Sequence, residues 1–210
     1  MSAATAPGDA DVLVVVDVQN DFCPGGRLAV PGGDEIVPLV NRLIARFDHV
    51  VLTQDWHPAG HGSFASSHPG AKPYDTVALA YGDQTLWPDH CVQGTVGAAF
   101  HPALEATKAE LILRKGFRRE IDSYSAFVEN DQRTPTGLAG YLRERGLRRV
   151  ALAGLALDFC VLWSARDALR LGFEAVVIEP ACRALDLEGS RAAALGELGA
   201  IGASLVTSVD

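Results

Sequence analysis

Six short runs rich in branched aliphatic residues punctuate the chain, each continuous rather than alternating: Val12–Val18, His49–Thr53, Glu110–Arg114, Arg149–Ala153, Ala175–Ile178 and Ala203–Thr207. A strand with one wet face alternates apolar and polar side chains, whereas a strand covered on both faces is apolar throughout. These runs therefore predict parallel strands buried between helices. The segments between them carry helical periodicity. Ile36, Val40, Leu43, Ile44 and Phe47 share one face, after Gly32-Gly33-Asp34 and with Pro38 early enough to be tolerated. Thr134-Pro135 reads as a cap and first-turn proline opening a helix through Leu138, Tyr141 and Leu142 to Gly146. A third helix is expected from Asp158 to Gly172, and a fourth over Leu187–Leu198, stopped by Gly199. Strand–helix alternation of this kind predicts an α/β architecture: a doubly wound, mostly parallel six-stranded sheet with helices on both faces, three layers in the Rossmann manner. Only the Gly-, Pro-, His- and Ser-rich stretch from Trp56 to Gly97 fits no regular element well, and a loop region that long inside a compact domain is usually functional.

The 210 residues, without repeat or linker, suit a single domain over 1–210. Eighteen Lys and Arg against 26 Asp and Glu give a net charge of −8, which argues against a nucleic-acid partner. The four cysteines, Cys23, Cys91, Cys160 and Cys182, are too scattered for a disulfide framework. The N-terminal stretch has neither the basic nor the apolar part of a secretory signal, and the longest apolar run, Val12–Val16, is far too short to span a bilayer. A reduced, cytoplasmic protein without membrane partners is expected, with a homo-oligomer left open.

Binding crevices of open α/β sheets lie at the carboxyl ends of the strands. There the sequence places Asp17 after the first run, Asp55 and His57 after the second, Lys115 after the third and Cys160 after the fourth. Cys160 falls in the first turn of a predicted helix, where unpaired N–H groups favour thiolate, and the preceding Gly154-Leu-Ala offers backbone N–H groups for an oxyanion. Asp17 suits a proton acceptor and Lys115 a counter-ion for the thiolate. Plainer readings stand beside these: a cysteine that merely packs, a turn-capping aspartate and a solvated strand-end lysine. Cys91 and Cys182 read as packing residues, and Cys23 has no helix behind it.

Five of the six histidines fall between positions 49 and 90. Asp55-Trp-His57 with the distant His90 supplies one carboxylate and two imidazoles, a set suited to Zn²⁺, Fe²⁺ or Mn²⁺ with open positions. His49 opens a strand, and His61 stands as a further ligand, a supporting residue or a loop residue.

These motifs carry a resemblance. Asp17-Val-Gln-Asn-Asp-Phe22, Pro24-Gly-Gly, Leu28-Ala-Val-Pro-Gly-Gly33, Gln54-Asp-Trp-His-Pro58, Leu86-Trp-Pro-Asp-His-Cys91, Arg114-Lys-Gly116 and Gly154-Leu-Ala-Leu-Asp-Phe-Cys-Val161 resemble, over nearly the whole chain, the nicotinamidases (pyrazinamidases) of the isochorismatase-like cysteine hydrolases. The resemblance implies a triad of Asp17, Lys115 and Cys160, and one divalent metal, zinc foremost with iron or manganese as alternatives, on Asp55, His57 and His90. It further implies an oxyanion hole from the N–H groups of Ala156 and Cys160 with a cis peptide at Leu155–Ala156, and an aromatic slot of Phe22, Trp87, Tyr124 and Phe159. Some members carry histidine where Phe159 stands. The activity implied is deamidation of nicotinamide, and of pyrazinamide, through a thioester, serving NAD salvage. Competing readings are an amidase for a carbamoyl or ureido substrate, a hydrolase using metal-bound hydroxide, and an inactive binding module on the same fold.

Overall fold

The computed structural model of the protein describes residues 7–209; the start of the N-terminal stretch read above lies outside them. In chain order the elements are β1 (Asp11–Val16), α1 (Val37–Arg46), β2 (His49–Asp55), β3 (Thr76–Leu79), β4 (Gly82–Thr85), β5 (Leu111–Lys115), α2 (Leu138–Glu144), β6 (Arg149–Leu155), α3 (Leu162–Arg170), β7 (Glu174–Arg183), α4 (Ser190–Ala200) and β8 (Ser204–Val206). The six runs of the sequence form one sheet in the order β5-β2-β1-β6-β7-β8. Every neighbouring pair in it is parallel.

All of β1 is buried, as its unbroken aliphatic run requires. Val12, Val14 and Val16 point into a core shared with Leu138 and Leu142 of α2, Ala165 of α3 and Leu198 of α4. Leu13 and Val15 point the other way, into a core with Val40, Leu43 and Ile44 of α1. The period-two alternation of side chains thus feeds two layers from one strand. The chain leaves β1 toward β2 and later returns on the opposite side at β6, so β1 and β6 flank the point where the winding reverses. That is where the crevice of such a sheet opens.

Several boundaries differ from the sequence reading. Asp17 stands outside β1 because its φ of 49° leaves the extended region. Thr134-Pro135 does not open a helix. The Asp131 carboxylate accepts hydrogen bonds from the Thr134 N–H (2.8 Å) and hydroxyl (2.6 Å), and Pro135 bridges to Val128. α2 starts only at Leu138, after Gly137 at φ 101°. The third helix divides into a π-helical turn, Leu157–Val161, and α3. The fourth starts at Ser190, after a 3-10 turn at Leu187–Gly189, and runs through Gly199; the glycine with a left-handed φ of 86° is Gly202. Within Trp56–Gly97, β3 and β4 form an antiparallel hairpin. Among the described residues no helix is long and apolar enough to cross a membrane.

Candidate active site

Four chain segments deliver polar side chains to the carboxyl edge, and Lys115 at the end of β5 joins them. Its ammonium is fully buried, lying 2.8 Å from Asp17 Oδ2 and 2.5 Å from Asp55 Oδ1. It also donates to the Ser123 carbonyl at 2.9 Å and meets Cys160 Sγ at 3.5 Å. A lysine so placed stays charged. Burial opposes the ammonium, but Asp17 and Asp55 against it hold its pKa well above the ordinary lysine value. Two carboxylates and a sulfur around one cation make a buried network in which each member satisfies another.

Cys160 sits in the π-helical turn directly after β6, 7% exposed, with the Asp17 carboxyl as a hydrogen-bonding neighbour. Burial pushes its thiol well above the usual range; Lys115 opposes this, while the charges of Asp17 and Asp55 add to it. Burial and the neighbouring carboxylates thus act against the thiolate that the first-turn position read from sequence would favour. Asp17 responds to burial in the same direction: desolvation raises its carboxyl above the ordinary aspartate value although Lys115 pulls it down. A thiol beside a carboxylate of raised basicity is suited to passing the proton between them.

Asp55 turns its other oxygen to two imidazoles, at 3.4 Å from His57 Nε2 and 3.7 Å from His90 Nε2. Burial disfavours its charge, yet Lys115 and His57 hold the carboxyl well below the usual range. Each ring is fixed by its other nitrogen: His57 Nδ1–H donates to the Gly116 carbonyl and His90 Nδ1–H to the Pro88 carbonyl, both at 2.8 Å. Both Nε2 atoms are thereby left as acceptors, and that of His57 is buried without a hydrogen-bond partner. One ligand atom from each of Asp55, His57 and His90 lies within 4.8 Å of the others. An orphaned, buried imidazole nitrogen beside a carboxylate is what a divalent cation would satisfy, so these residues fit a metal.

His61 packs 4.4 Å from the His57 ring but has both nitrogens engaged, Nδ1 with Ser63 Oγ at 2.7 Å and Nε2 with the Arg118 carbonyl at 2.8 Å. These bonds suit a supporting residue, and the ligand reading stands beside it, because His57, His61 and Asp122 also bring one ligand atom each within 4.8 Å of one another. The sequence reading missed Asp122, whose Oδ1 lies 4.0 Å from His57 Nε2. It also missed Gln19, whose side-chain amide grips both main-chain groups of Asp55: Nε2 donates to the carbonyl at 2.9 Å and Oε1 accepts from the N–H at 2.8 Å.

A slot leads to Cys160 and is lined by Phe22, Trp87, Tyr124 and Phe159 together with Leu28 and Leu185. Trp87 meets Phe159 edge-on at 5.0 Å, and its indole N–H donates to the Tyr124 hydroxyl at 3.1 Å. Asp55, His90 and Asp122 border the same space. Ala156 lines it too, and the Leu155–Ala156 peptide is cis. The geometry therefore gathers a sulfur, an acid–base carboxyl, a cation, a metal-ligand set and a flat apolar slot at the reversal of a doubly wound sheet.

Fold and site together define a doubly wound α/β domain with a cysteine at the crevice, and the sequence matches the Isochorismatase domain over residues 11–210. The chain belongs to the isochorismatase family. It is 56% identical over 196 residues to a nicotinamidase of Acinetobacter baylyi, covering 93% of this chain and 92% of that protein. The Acinetobacter baumanii nicotinamidase and pyrazinamidase structure is similar at a TM-score of 0.93 and 53% identity, covering 95% of this chain and 96% of that one. A Pyrococcus horikoshii pyrazinamidase in complex with zinc matches at 0.77 and 35% identity, over 95% and 99% of the two chains.

Proposed function

We propose that this chain, as a single domain, deamidates nicotinamide to nicotinate and ammonia by cysteine chemistry beside a divalent metal, and that it accepts the close analogue pyrazinamide. The observation that carries the reading is the position of Lys115, whose ammonium touches Asp17, Asp55 and Cys160 at once and so couples the sulfur to the metal-ligand carboxylate. Zinc is the ion we assign; Asp55, His57 and His90 would hold it, and it would supply Lewis-acid chemistry to the bound substrate.

The residues of the chain then perform the reaction as follows. The aromatic slot holds the flat ring with its carboxamide toward Cys160. Asp17 takes the thiol proton as the sulfur attacks the amide carbon, and the carbonyl electron pair moves onto oxygen. Lys115 stays protonated and offsets the charge on the sulfur. The N–H groups of Ala156 and Cys160 hold the oxyanion, a contribution of about 3–4 kcal/mol per well-placed donor. As the carbonyl re-forms, the C–N bond breaks and Asp17 returns its proton to the departing ammonia. Water then adds to the thioester, giving a proton to Asp17; the C–S bond breaks and the sulfur recovers that proton. The carboxylic acid so formed gives its remaining proton to solvent and leaves as nicotinate, and the resting thiol is restored.

Ammonia release from nicotinamide by the purified protein, before and after chelation, tests the reading. The account expects equal amounts of ammonia and nicotinate, loss of turnover on metal removal and recovery with zinc. Absence of ammonia from nicotinamide in the zinc-loaded protein, or turnover unaffected by complete metal removal, contradicts it.

A further inference from the structure

Thr53, buried in β2 two residues before Asp55, touches neither the slot nor the metal ligands' donor atoms, yet its hydroxyl holds Asp17 at two points. Asp17 donates its backbone N–H to Thr53 Oγ1 at 3.1 Å, and Oγ1 donates to Asp17 Oδ1 at 2.6 Å. A threonine hydroxyl has one hydrogen. Because the Asp17 N–H arrives at the oxygen, that oxygen is the acceptor of one bond, and its single hydrogen is directed at Oδ1. The backbone N–H can only donate, and the acceptor given to the hydroxyl's hydrogen is Oδ1. Oδ1 is consequently an acceptor facing a donor, and a proton on that oxygen would confront the threonine hydrogen. The other oxygen, Oδ2, lies against Lys115 Nζ at 2.8 Å and is buried without an aligned hydrogen bond of its own.

We infer that Thr53 is a positioning residue that fixes the main chain and Oδ1 of Asp17 and so leaves Oδ2, the oxygen that shares the Lys115 ammonium with the sulfur, to carry the travelling proton. The inference rests on the proposed cysteine chemistry, in which Asp17 must receive a proton from Cys160 and return it to the leaving group at one place. Asp17 adopts its left-handed φ of 49° in the same arrangement, so one hydroxyl secures both the main chain and the carboxylate of a residue whose backbone conformation is uncommon for a non-glycine. Without the hydroxyl, Oδ1 would be a buried oxygen lacking a donor, and a proton could rest there, on the oxygen that the Lys115 ammonium does not touch.

The test compares Thr53→Val, which keeps the shape and removes the hydroxyl, with Thr53→Ser, which keeps the hydroxyl. For each zinc-loaded protein, kcat and KM for nicotinamide, bound zinc and the rate of Cys160 alkylation by iodoacetamide, read on the Cys160 peptide by mass spectrometry, are measured. The expectation for Thr53→Val is a kcat lowered by about a hundredfold, within the range of general acid–base contributions, with KM within about twofold and zinc content unchanged. Cys160 alkylation slows in parallel, and Thr53→Ser recovers both rates to within about threefold of the parent. A Thr53→Val protein with parental kcat and alkylation rate, a loss confined to KM or zinc content, or a Thr53→Ser protein as impaired as Thr53→Val overturns the inference. Thr53→Ala against Thr53→Ser reads the same hydroxyl if the valine variant does not fold. Alkylation needs no nicotinamide, so a parent protein that releases no ammonia refutes the substrate reading while the alkylation comparison still decides the role of Thr53.

Discussion

Gly116 shows how closely the site depends on single atoms. It follows Lys115 with a φ of 66°, and a Cβ placed on it would lie 2.4 Å from Cε1 of His57. The same residue's carbonyl receives the His57 Nδ1–H. An alanine there has both an unfavourable backbone and no room, and the neighbour that must yield is the ring whose Nε2 faces Asp55. Gly116→Ala is therefore expected to weaken zinc by about 10- to 100-fold, the usual effect of disturbing a group that orients a metal-binding histidine. Competition titration against a chelator measures this, and unchanged zinc affinity would refute the role given to His57. The sequence displays Arg114-Lys-Gly116 plainly, but it does not show that the glycine abuts an imidazole 59 positions away. Thr53, Gln19 and Asp122 escaped notice for a related reason. Their importance lies in hydrogen bonds to Asp17 and Asp55 across 36 positions for the first two, and in proximity to His57 for the third, and none has a spacing that announces it.

At the level of elements, the sheet was legible because burial on both faces leaves a direct mark on composition. The core residues of β1, β2 and β6 read correctly from their unbroken aliphatic runs. Helix starts were less legible, because short polar side chains compete for the same backbone groups. Asp131 and Thr136 draw the segment before α2 into turns, and Asp158 accepts hydrogen bonds from the N–H groups of Leu185 (3.1 Å) and Asp186 (2.8 Å) and from Ser190 Oγ (2.5 Å). That last set ties the nucleophile's own turn to the segment leading into α4 and holds Leu185 at the slot. The strand feeding the turn is equally constrained: Gly154 in β6 has a φ of 127°, and a Cβ there would lie 2.1 Å from the Val16 carbonyl oxygen of β1. Gly154→Ala is expected to lose roughly 1–3 kcal/mol through backbone strain alone, with the overlap adding to it. Urea denaturation at neutral pH reads the change, and parental stability would show that β1 and β6 do not approach as described.

For the whole molecule, the site was foreseeable to the extent that it obeys the topology of the sheet. Asp17 and Cys160 follow β1 and β6 while Asp55 and Lys115 end β2 and β5, four neighbouring strands, so one rule about carboxyl ends brings them together. The long segment between β2 and β5 then adds His90 and Trp87, whose positions no strand pattern specifies. The state of the sulfur was not foreseeable from the chain, since a helix-end field favours thiolate while the depth of burial favours thiol. The central claim, that Cys160 attacks the amide while the metal ligands stand apart from the bond being broken, separates two functions that a single substitution can divide. In zinc-loaded Cys160→Ala, ammonia release from nicotinamide is predicted to fall by at least about 10⁴-fold, as loss of a nucleophile acting within a triad does, with zinc still bound at one equivalent. Ammonia release within tenfold of the parent enzyme would contradict the account and place the attack on another group.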